Sequence, residues 1–250
     1  MATIFWRPLP VATLTVRQFL GGKAVRVVTA LAFLPCVFAL IYLLNPAVAT
    51  RHDFLINAVY IGMVISTLLP ITVLILATGA LGNEIEDRTL PYLTLKPLSR
   101  LRIVVEKMLG VLAVTEPIIL AGLLVTFAIV FRGSATDHLR LFGAIAASAA
   151  VAIFAYSSIF LLISLVIPRA LLVGIVYTFV WESVLGRFLP GLRIVSIRHF
   201  TESIFVGILN DPTVTMKNPT STTSSIVTML IVGIFCIAVA TVRLRRMSLD

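Results

Sequence analysis

The sequence predicts an all-α polytopic membrane protein with six transmembrane helices, and three observations support this class. About 59% of the 250 residues are hydrophobic and only 12% are charged, roughly half the charged share of a typical soluble domain. The windows between charged residues are long enough for helices of about 20 residues, which cross a hydrocarbon core of about 30 Å. Lys and Arg residues also lie mostly on one side of the predicted spans. Contact with lipid explains such a composition.

The first element is predicted before any span. Apolar residues recur at helical spacing between Leu9 and Leu20, with Thr13 on the opposite side, which predicts an N-terminal amphipathic elbow helix in the membrane interface. A frayed N-terminus is the alternative, because Pro10 limits where the helix can begin. The rest of the chain is predicted to complete a single transmembrane domain over residues 1–250. Its spans are expected at approximately 27–44, 55–81, 103–131, 141–167, 170–189 and 226–242.

The later spans differ in character. Small residues four apart in the fourth span, such as Gly143 and Ala147, predict close helix packing. Pro168-Arg169 predicts a tight turn into the fifth span, which is the least regular because Glu182 lies within it. Between the fifth and sixth spans, charged residues interrupt a short helical pattern, so we expect re-entrant or amphipathic helices at the outer face.

The positive charges predict the orientation of the chain. The larger share of Lys and Arg lies beside the predicted inner ends of the spans, which favours a multi-pass protein of the cell membrane with both termini in the cytoplasm. The formal net charge of +9 is spread over loop ends. We therefore interpret it as a topology signal and as contacts to membrane lipids, and we expect no nucleic-acid partner.

Motifs for catalysis are not found in the sequence. Gly21-Gly22-Lys23 resembles the end of a P-loop, but Ala24 stands where the hydroxyl residue belongs. The three histidines have no metal-binding spacing, and the two cysteines fall inside predicted spans, where free thiols are expected. The chain is thus predicted not to be an enzyme by itself and to bind no cofactor or metal directly.

The loop between the second and third spans is rich in signals. Thr89 can cap a short helix that accepts Pro91 in its first turn, and Pro97 must end that helix within about two turns. Ser99 is then expected to cap the third span. The result would be a short coupling helix held crosswise between two long helices, which is the geometry of a docking element. Its predicted docking residues are Glu84, Glu86, Arg88, Thr89, Leu90, Leu93, Lys96 and Arg100.

The same residues resemble the cytoplasmic loop of permeases in the type 2 ABC exporter family. Such loops usually show a Glu, a Gly-Thr-Leu step, a Leu pair, a Pro-hydrophobic-Ser-Arg step, and a Lys that opens the third span. Here Glu84 and Glu86 precede the Thr89-Leu90 step and Lys107 corresponds to the Lys, while Arg88 stands where the family usually has Gly. The order of elbow helix, six spans and coupling helix extends the resemblance over the whole chain.

The resemblance implies a membrane subunit of an ATP-driven transporter. It would pair with a second permease copy or homologue and with two cytoplasmic ABC ATPase subunits, which bind the ATP and Mg. Closure of those subunits would push the short helix at 90–95 and open the central cavity alternately inward and outward. A lipid, glycan or amphipathic small molecule moved outward would be the substrate.

Polar residues within the spans define a possible cavity or gate. Glu116 and Glu182 are costly in a bilayer, so each should face protein or water. They would serve a proton relay, or else pair structurally with an Arg or a freed backbone group. Aromatic residues near 179–181 fit either a gate or an interfacial belt, and span hydroxyls line a cavity or bond their own backbone. The candidates are Ser66, Thr67, Glu116, Phe179, Trp181 and Glu182. An ion-coupled secondary transporter that uses Glu116 is the alternative function.

Overall fold

The computed structural model describes residues 9–44, 50–86, 98–180, 196–214, 216 and 218–246, with residues 83 and 86 described by their backbone alone. These residues form long helices with no strand among them, so the predicted all-α class is confirmed. The predicted coupling helix, with Arg88, Thr89, Leu90, Leu93 and Lys96, lies outside the described residues, as do Trp181 and Glu182.

The chain begins with two consecutive helices, α1 (Pro10–Gly21) and α2 (Lys23–Leu44). Pro10 occupies the first turn of α1, where its missing N–H costs nothing. Gly22 adopts an extended backbone that separates the two helices. A helix is therefore present where the elbow was predicted, and its position at a membrane interface stays a prediction.

The predicted apolar face of α1 is buried in part. Ala12 and Phe19 of that face are buried together with Val11 and Thr15, whereas Leu9 and Leu20 are exposed. Thr15 satisfies its hydroxyl by donating to the carbonyl of Val11 at 2.9 Å, which makes it acceptable in a buried position. The apolar periodicity thus predicted the helix and part of its buried face, but not the burial of Thr15.

The second span is a continuous helix, α3, over residues 51–86. It consists of an α-helical turn (Arg51–Asp53), a π-helical segment (Phe54–Leu68) and an α-helical segment (Leu69–Glu86). Pro70 follows the π-helical segment closely and has no N–H to continue the α-helical ladder. Long π-helical stretches are rare, and no prediction from the sequence anticipated this one.

The third and fourth spans are the helices α4 (Arg100–Val130) and α5 (Leu139–Val166), joined through a short 3₁₀ helix (Ala135–His138). The side chain of Ser99 accepts a hydrogen bond from the backbone N–H of Arg102 at 3.3 Å, which confirms the predicted cap. The close packing predicted at Gly143 and Ala147 of α5 is wrong, because both residues are exposed and Gly143 faces open space. The small residues of α5 that are buried lie beside them, at Ala144, Ser148, Ala149 and Ala152. Close packing at a glycine is visible instead at Gly122 of α4, where an added Cβ would lie 2.2 Å from the carbonyl oxygen of Ala32 in α2.

Three further helices complete the described chain: α6 (Ala170–Val176, followed by a π-helical turn to Val180), α7 (Ile197–Leu209) and α8 (Thr222–Arg246). Helix α7 lies where amphipathic helices were predicted, and it packs on α5 and α8. Only the first part of the predicted span 170–189 is described, as a shorter apolar helix, Ala170–Val180.

Five helices of the described chain are long and apolar enough to cross a membrane. They are Lys23–Leu44, Arg51–Gly82, Arg100–Val130, Ala135–Val166 and Thr222–Arg246. Each coincides with one of the predicted spans, and the sixth span stays a prediction. A single large hydrophobic core joins α2, α3, α4, α5 and α7.

Candidate functional site

The predicted docking loop leaves and re-enters the helices at one end of the bundle, the end at which α1 lies. We call it the α1 end. The last turns of α3, α5 and α8 meet the first turns of α4 there in a separate apolar cluster. Its buried members are Leu81, Ile103, Val104, Met108, Leu161, Leu165, Ala240 and Leu244. The end of α3 and the beginning of α4, which flank the loop, are therefore both packed into this cluster, which we call the packed base.

A buried ion pair joins those two helices directly. The ammonium group of Lys107, in the second turn of α4, donates a hydrogen bond to Oε1 of Glu84, in the last turn of α3. Lys107 is fully buried and Glu84 is 7% exposed. A buried charge is tolerated only with a well-placed partner, so this pair holds the two ends of the loop at a fixed separation.

A second carboxylate, Glu106, attaches α1 to the same base. Its Oε2 accepts the backbone N–H of Val11 at 2.7 Å and that of Ala12 at 3.3 Å, while its Oε1 accepts Nε of Arg102 at 2.6 Å. The first N–H groups of a helix have no partner within the helix, and a negative charge is favourable at that position. Glu106 thus caps α1 from another helix.

The contact between α1 and α4 is close because a glycine faces a small side chain. A Cβ added at Gly110 would lie 2.8 Å from Cβ of Thr15 and 3.3 Å from the carbonyl oxygen of Ala12. Glu106 lies one helical turn before Gly110, so the polar and the apolar contacts belong to one face of α4. This face fixes α1 against the helix that begins at the end of the docking loop.

The predicted docking residues have different positions in this arrangement. Glu84 is buried against Lys107, and Arg100 is the first residue of α4, with partial exposure. Glu86 ends α3, and its side chain lies outside the described residues, as do the other predicted docking positions. The docking role of the set is therefore still a prediction, but the helices on both sides of it are firmly held.

The hydroxyl groups predicted to line a cavity mostly bond their own helix. Ser66 donates to the carbonyl of Gly62 and lies 3.3 Å from the hydroxyl of the partly buried Thr67. Thr72 and Thr78 donate to carbonyls one turn earlier in α3, at 2.8 and 2.7 Å. This bonding to the backbone is the alternative considered for these residues, and it leaves them little need for another partner.

The acidic and aromatic candidates are less enclosed. Glu116 is half-buried in α4 beside Pro117 and forms no hydrogen bond or ion pair within the described parts of the chain. The expected contacts to an Arg or to a freed backbone group are thus not seen there. Phe179 is 47% exposed on the turn that follows α6. No hydrogen bond joins Glu116 to Ser66 within the described residues.

The opposite end of the bundle contains polar contacts that the sequence did not reveal. The hydroxyl of Tyr60, in the π-helical segment, donates to the carbonyl of Ile145 at 3.0 Å and lies 2.6 Å from the hydroxyl of Ser148. Nearby, Nε2 of His52 lies 3.3 Å from a carboxylate oxygen of Asp211. Hydrogen bonds from the backbone and side chain of Thr213 lower the pKa of Asp211. These contacts tie α3 to α5 and to the loop after α7.

Glu106 is the clearest site residue that the sequence analysis missed. Its partners in α1 lie about 95 positions away, and nothing local in the sequence indicates them. The one available signal was the i, i+4 spacing of Arg102 and Glu106 in a segment otherwise predicted to enter the membrane.

Comparison with known proteins identifies a family. No curated protein matches the chain. A family model described as "ABC-2 family transporter protein" matches residues 11–249. This match extends from the first turn of α1 past the end of α8. It therefore includes α1, α3 and α4, which meet at the α1 end, and every candidate span. The chain belongs to the ABC-2 family of transporter membrane proteins.

Proposed function

We propose that the protein is the membrane subunit of an ATP-driven transporter and forms the translocation path as a permease dimer, with an identical or homologous second copy. Two separate cytoplasmic ABC ATPase subunits would bind ATP and Mg and drive it. Both termini and the α1 end would face the cytoplasm of the cell. We further propose that the cargo is a lipid, glycan or amphipathic small molecule moved outward.

The buried pair of Glu84 and Lys107 is the observation that carries this proposal. A motor that pushes on a loop moves a helix only if the loop is attached to it rigidly. The pair joins α3 and α4 immediately beside the loop, and Glu106 attaches α1 to the same turn of α4. Force applied to residues 87–97 would therefore reach three helices together.

The proposed docking residues would play two kinds of role. Glu84 is enclosed by Lys107, so it would position the loop without touching the ATPase. Arg88 and Lys96, which flank the predicted coupling helix, would present charge to the ATPase, with Leu90 and Leu93 as apolar contacts. Arg100 would stand at the junction, because it is the first residue of α4.

We propose that the translocation path lies beside α6, whose apolar side chains are exposed. Helix α6 exposes a row of apolar side chains that ends near Phe179, which suits contact with a second permease or with lipid. Phe179, Trp181 and Glu182 would then stand close to the dimer axis, and Ser66 and Thr67 would face the path from α3. Glu116 would adjoin it from α4.

Co-purification tests the docking proposal. The full-length chain would be expressed in its native membrane with an affinity tag, and the ATPase that accompanies it would be quantified together with its ATP hydrolysis. Arg88→Glu combined with Lys96→Glu should reduce recovery of the ATPase by about tenfold or more, since charge reversal at a contact costs several kcal/mol. The two positions fall between the described ends of α3 and α4, so the helices on both sides should be unaffected.

The matched control is Arg132→Glu, an exposed charge reversal at the opposite end of the bundle. It should leave ATPase recovery and turnover unchanged. Full retention of the ATPase by the Arg88 and Lys96 double variant would contradict docking at this loop. Transport that continues without ATP would contradict the ATP-driven class and favour ion coupling through Glu116.

A further inference from the structure

A groove of about 730 Å³ opens at the α1 end, beside the buried pair of Glu84 and Lys107. It lies between the junction of α1 and α2, the last turns of α3 and the turn that begins α6. Its polar wall includes Gln18, Lys23, Thr78 and Arg169. No function considered above accounts for this groove.

The groove is positively charged. Lys23 and Arg169 are both exposed, and within the described residues neither forms an ion pair or hydrogen bond through its side chain. Glu84 also contributes to the wall, but its carboxylate is engaged by the ammonium group of Lys107. Two positive charges from separate helices therefore remain available to a ligand.

Arg169 occupies a backbone conformation that favours glycine. Its φ of 57° and ψ of 44° place it in the left-handed region, which is uncommon for a residue with a bulky side chain. Glycine would satisfy this turn without strain. An arginine held there indicates that its side chain serves a purpose outside the turn. Arg169 also lines a smaller groove together with Arg243, which adds a third positive charge nearby.

The remaining walls suit a ligand with an apolar part. Phe19, Ile75, Leu171 and Leu172 line the groove next to the basic residues. Lys23 is the first residue of the apolar helix α2, and Arg169 directly precedes the apolar helix α6. In a membrane the charged part of the groove would consequently lie at the headgroup level, with apolar walls extending toward the acyl chains.

We propose that this groove binds the phosphate group of an anionic membrane lipid from the leaflet at the α1 end. Lys23 and Arg169 hold the phosphate between them, and the apolar wall receives the upper part of an acyl chain. Basic pockets between membrane helices are a known means of holding such headgroups. This binding requires the chain and the lipid alone, so it does not depend on the ATPase or on the transported cargo.

Native mass spectrometry can test the proposal. The full-length chain, with any subunits that co-purify, would be titrated in detergent with dioleoylphosphatidylglycerol or dioleoylphosphatidylcholine, and retained lipid would be counted. The anionic lipid should be retained in preference to the zwitterionic one. Lys23→Gln and Arg169→Gly should each weaken its retention about fivefold, whereas Arg169→Lys should keep most of it.

Two controls separate lipid binding from general effects. Arg26→Gln removes an exposed positive charge one turn from Lys23 that does not line the groove, so it should change retention less than twofold by the same reasoning. Arg169→Gly should leave thermal stability unchanged or raise it, since glycine fits the turn, and weaker retention would then not reflect unfolding.

Several results would overturn the proposal. Equal retention of both lipids would show that charge does not select the ligand. A loss with Arg26→Gln as large as with Lys23→Gln would show that the groove is not the site. Displacement of the anionic lipid by an equal concentration of glycerol 3-phosphate would point to a soluble phosphate ligand instead.

Discussion

Removal of the Glu106 carboxylate should release α1 from α4. In Glu106→Ala, the N–H groups of Val11 and Ala12, which now lie 2.7 and 3.3 Å from Oε2, would have no acceptor. Hydrogen bonds to a charged group contribute about 1.5–3 kcal/mol each. The bond from Ala12 is long, so we take the lower value for each, and the two together should stabilise the docked helix by about 3 kcal/mol. The Arg102 pair should add less than about 1 kcal/mol, because the Arg102 side chain is 45% exposed.

Hydrogen exchange is the appropriate measurement, since it reports the opening of one helix separately from the rest. A loss of about 3 kcal/mol corresponds to a rise of about 100-fold in the exchange rate of the amides in α1. Exchange in α3 and α5 should be unchanged. Glu106→Gln should fall between the wild type and Glu106→Ala, because the amide oxygen can still accept one N–H but carries no charge.

Arg102→Gln is the matched control for this experiment. It removes the exposed partner of Glu106 and leaves the contact with α1 intact, so exchange in α1 should rise less than about fivefold. Wild-type exchange in Glu106→Ala would refute the role of Glu106 as a cap for α1. An equal effect of Arg102→Gln would show that the ion pair, and not the cap, holds the helix.

Two further predictions concern the packing of α4. Lys107→Met leaves the Glu84 carboxylate buried without its partner and should destabilise the protein by about 3–5 kcal/mol, while the double variant with Glu84→Gln should recover much of this in thermal unfolding. Additive losses in the double variant would contradict direct pairing. Gly122→Ala places a methyl group against the carbonyl of Ala32 and should lower the unfolding free energy by about 1–3 kcal/mol. Gly143→Ala meets open space and should be neutral or mildly stabilising, so similar losses for both would refute the argument from close packing.

The transmembrane helices were predictable because a segment that crosses lipid must be apolar along its length, whatever its contacts with other helices. The predicted span at 27–44 is contained in Lys23–Leu44, and that at 141–167 agrees closely with Leu139–Val166. The observed helices extend beyond some predicted limits, since a helix continues past the hydrocarbon until a capping residue ends it. Ser99 is such a residue, and its local hydrogen bond could be predicted from the sequence.

Contacts between distant segments were not predictable in this way. Glu106 and the start of α1 are far apart in the chain, and their pairing depends on how two helices pack, not on the pattern within either. The burial of Thr15 in α1 was not predicted for the same reason, because it depends on the small surface that Gly110 of α4 presents to it. The contact of Tyr60 with α5 across the π-helical segment was likewise not predictable, because it joins residues 85 positions apart.

The distribution of contacts along α4 determines how a push on the loop would spread. Glu106 and Lys107 attach α1 and α3 near the start of the helix, and Gly122 attaches α2 further along. Pro117 lies between these two sets of contacts and lacks the N–H that would stiffen the helix there. A displacement at the loop would therefore carry the first part of α4 with α1 and α3 as one body. Because α2 follows α1 through Gly22 and also packs on α3, it would be displaced with this body. Pro117 would let the later part of α4, which contacts α2 at Gly122, bend to accommodate the movement, which makes this proline the natural hinge within α4.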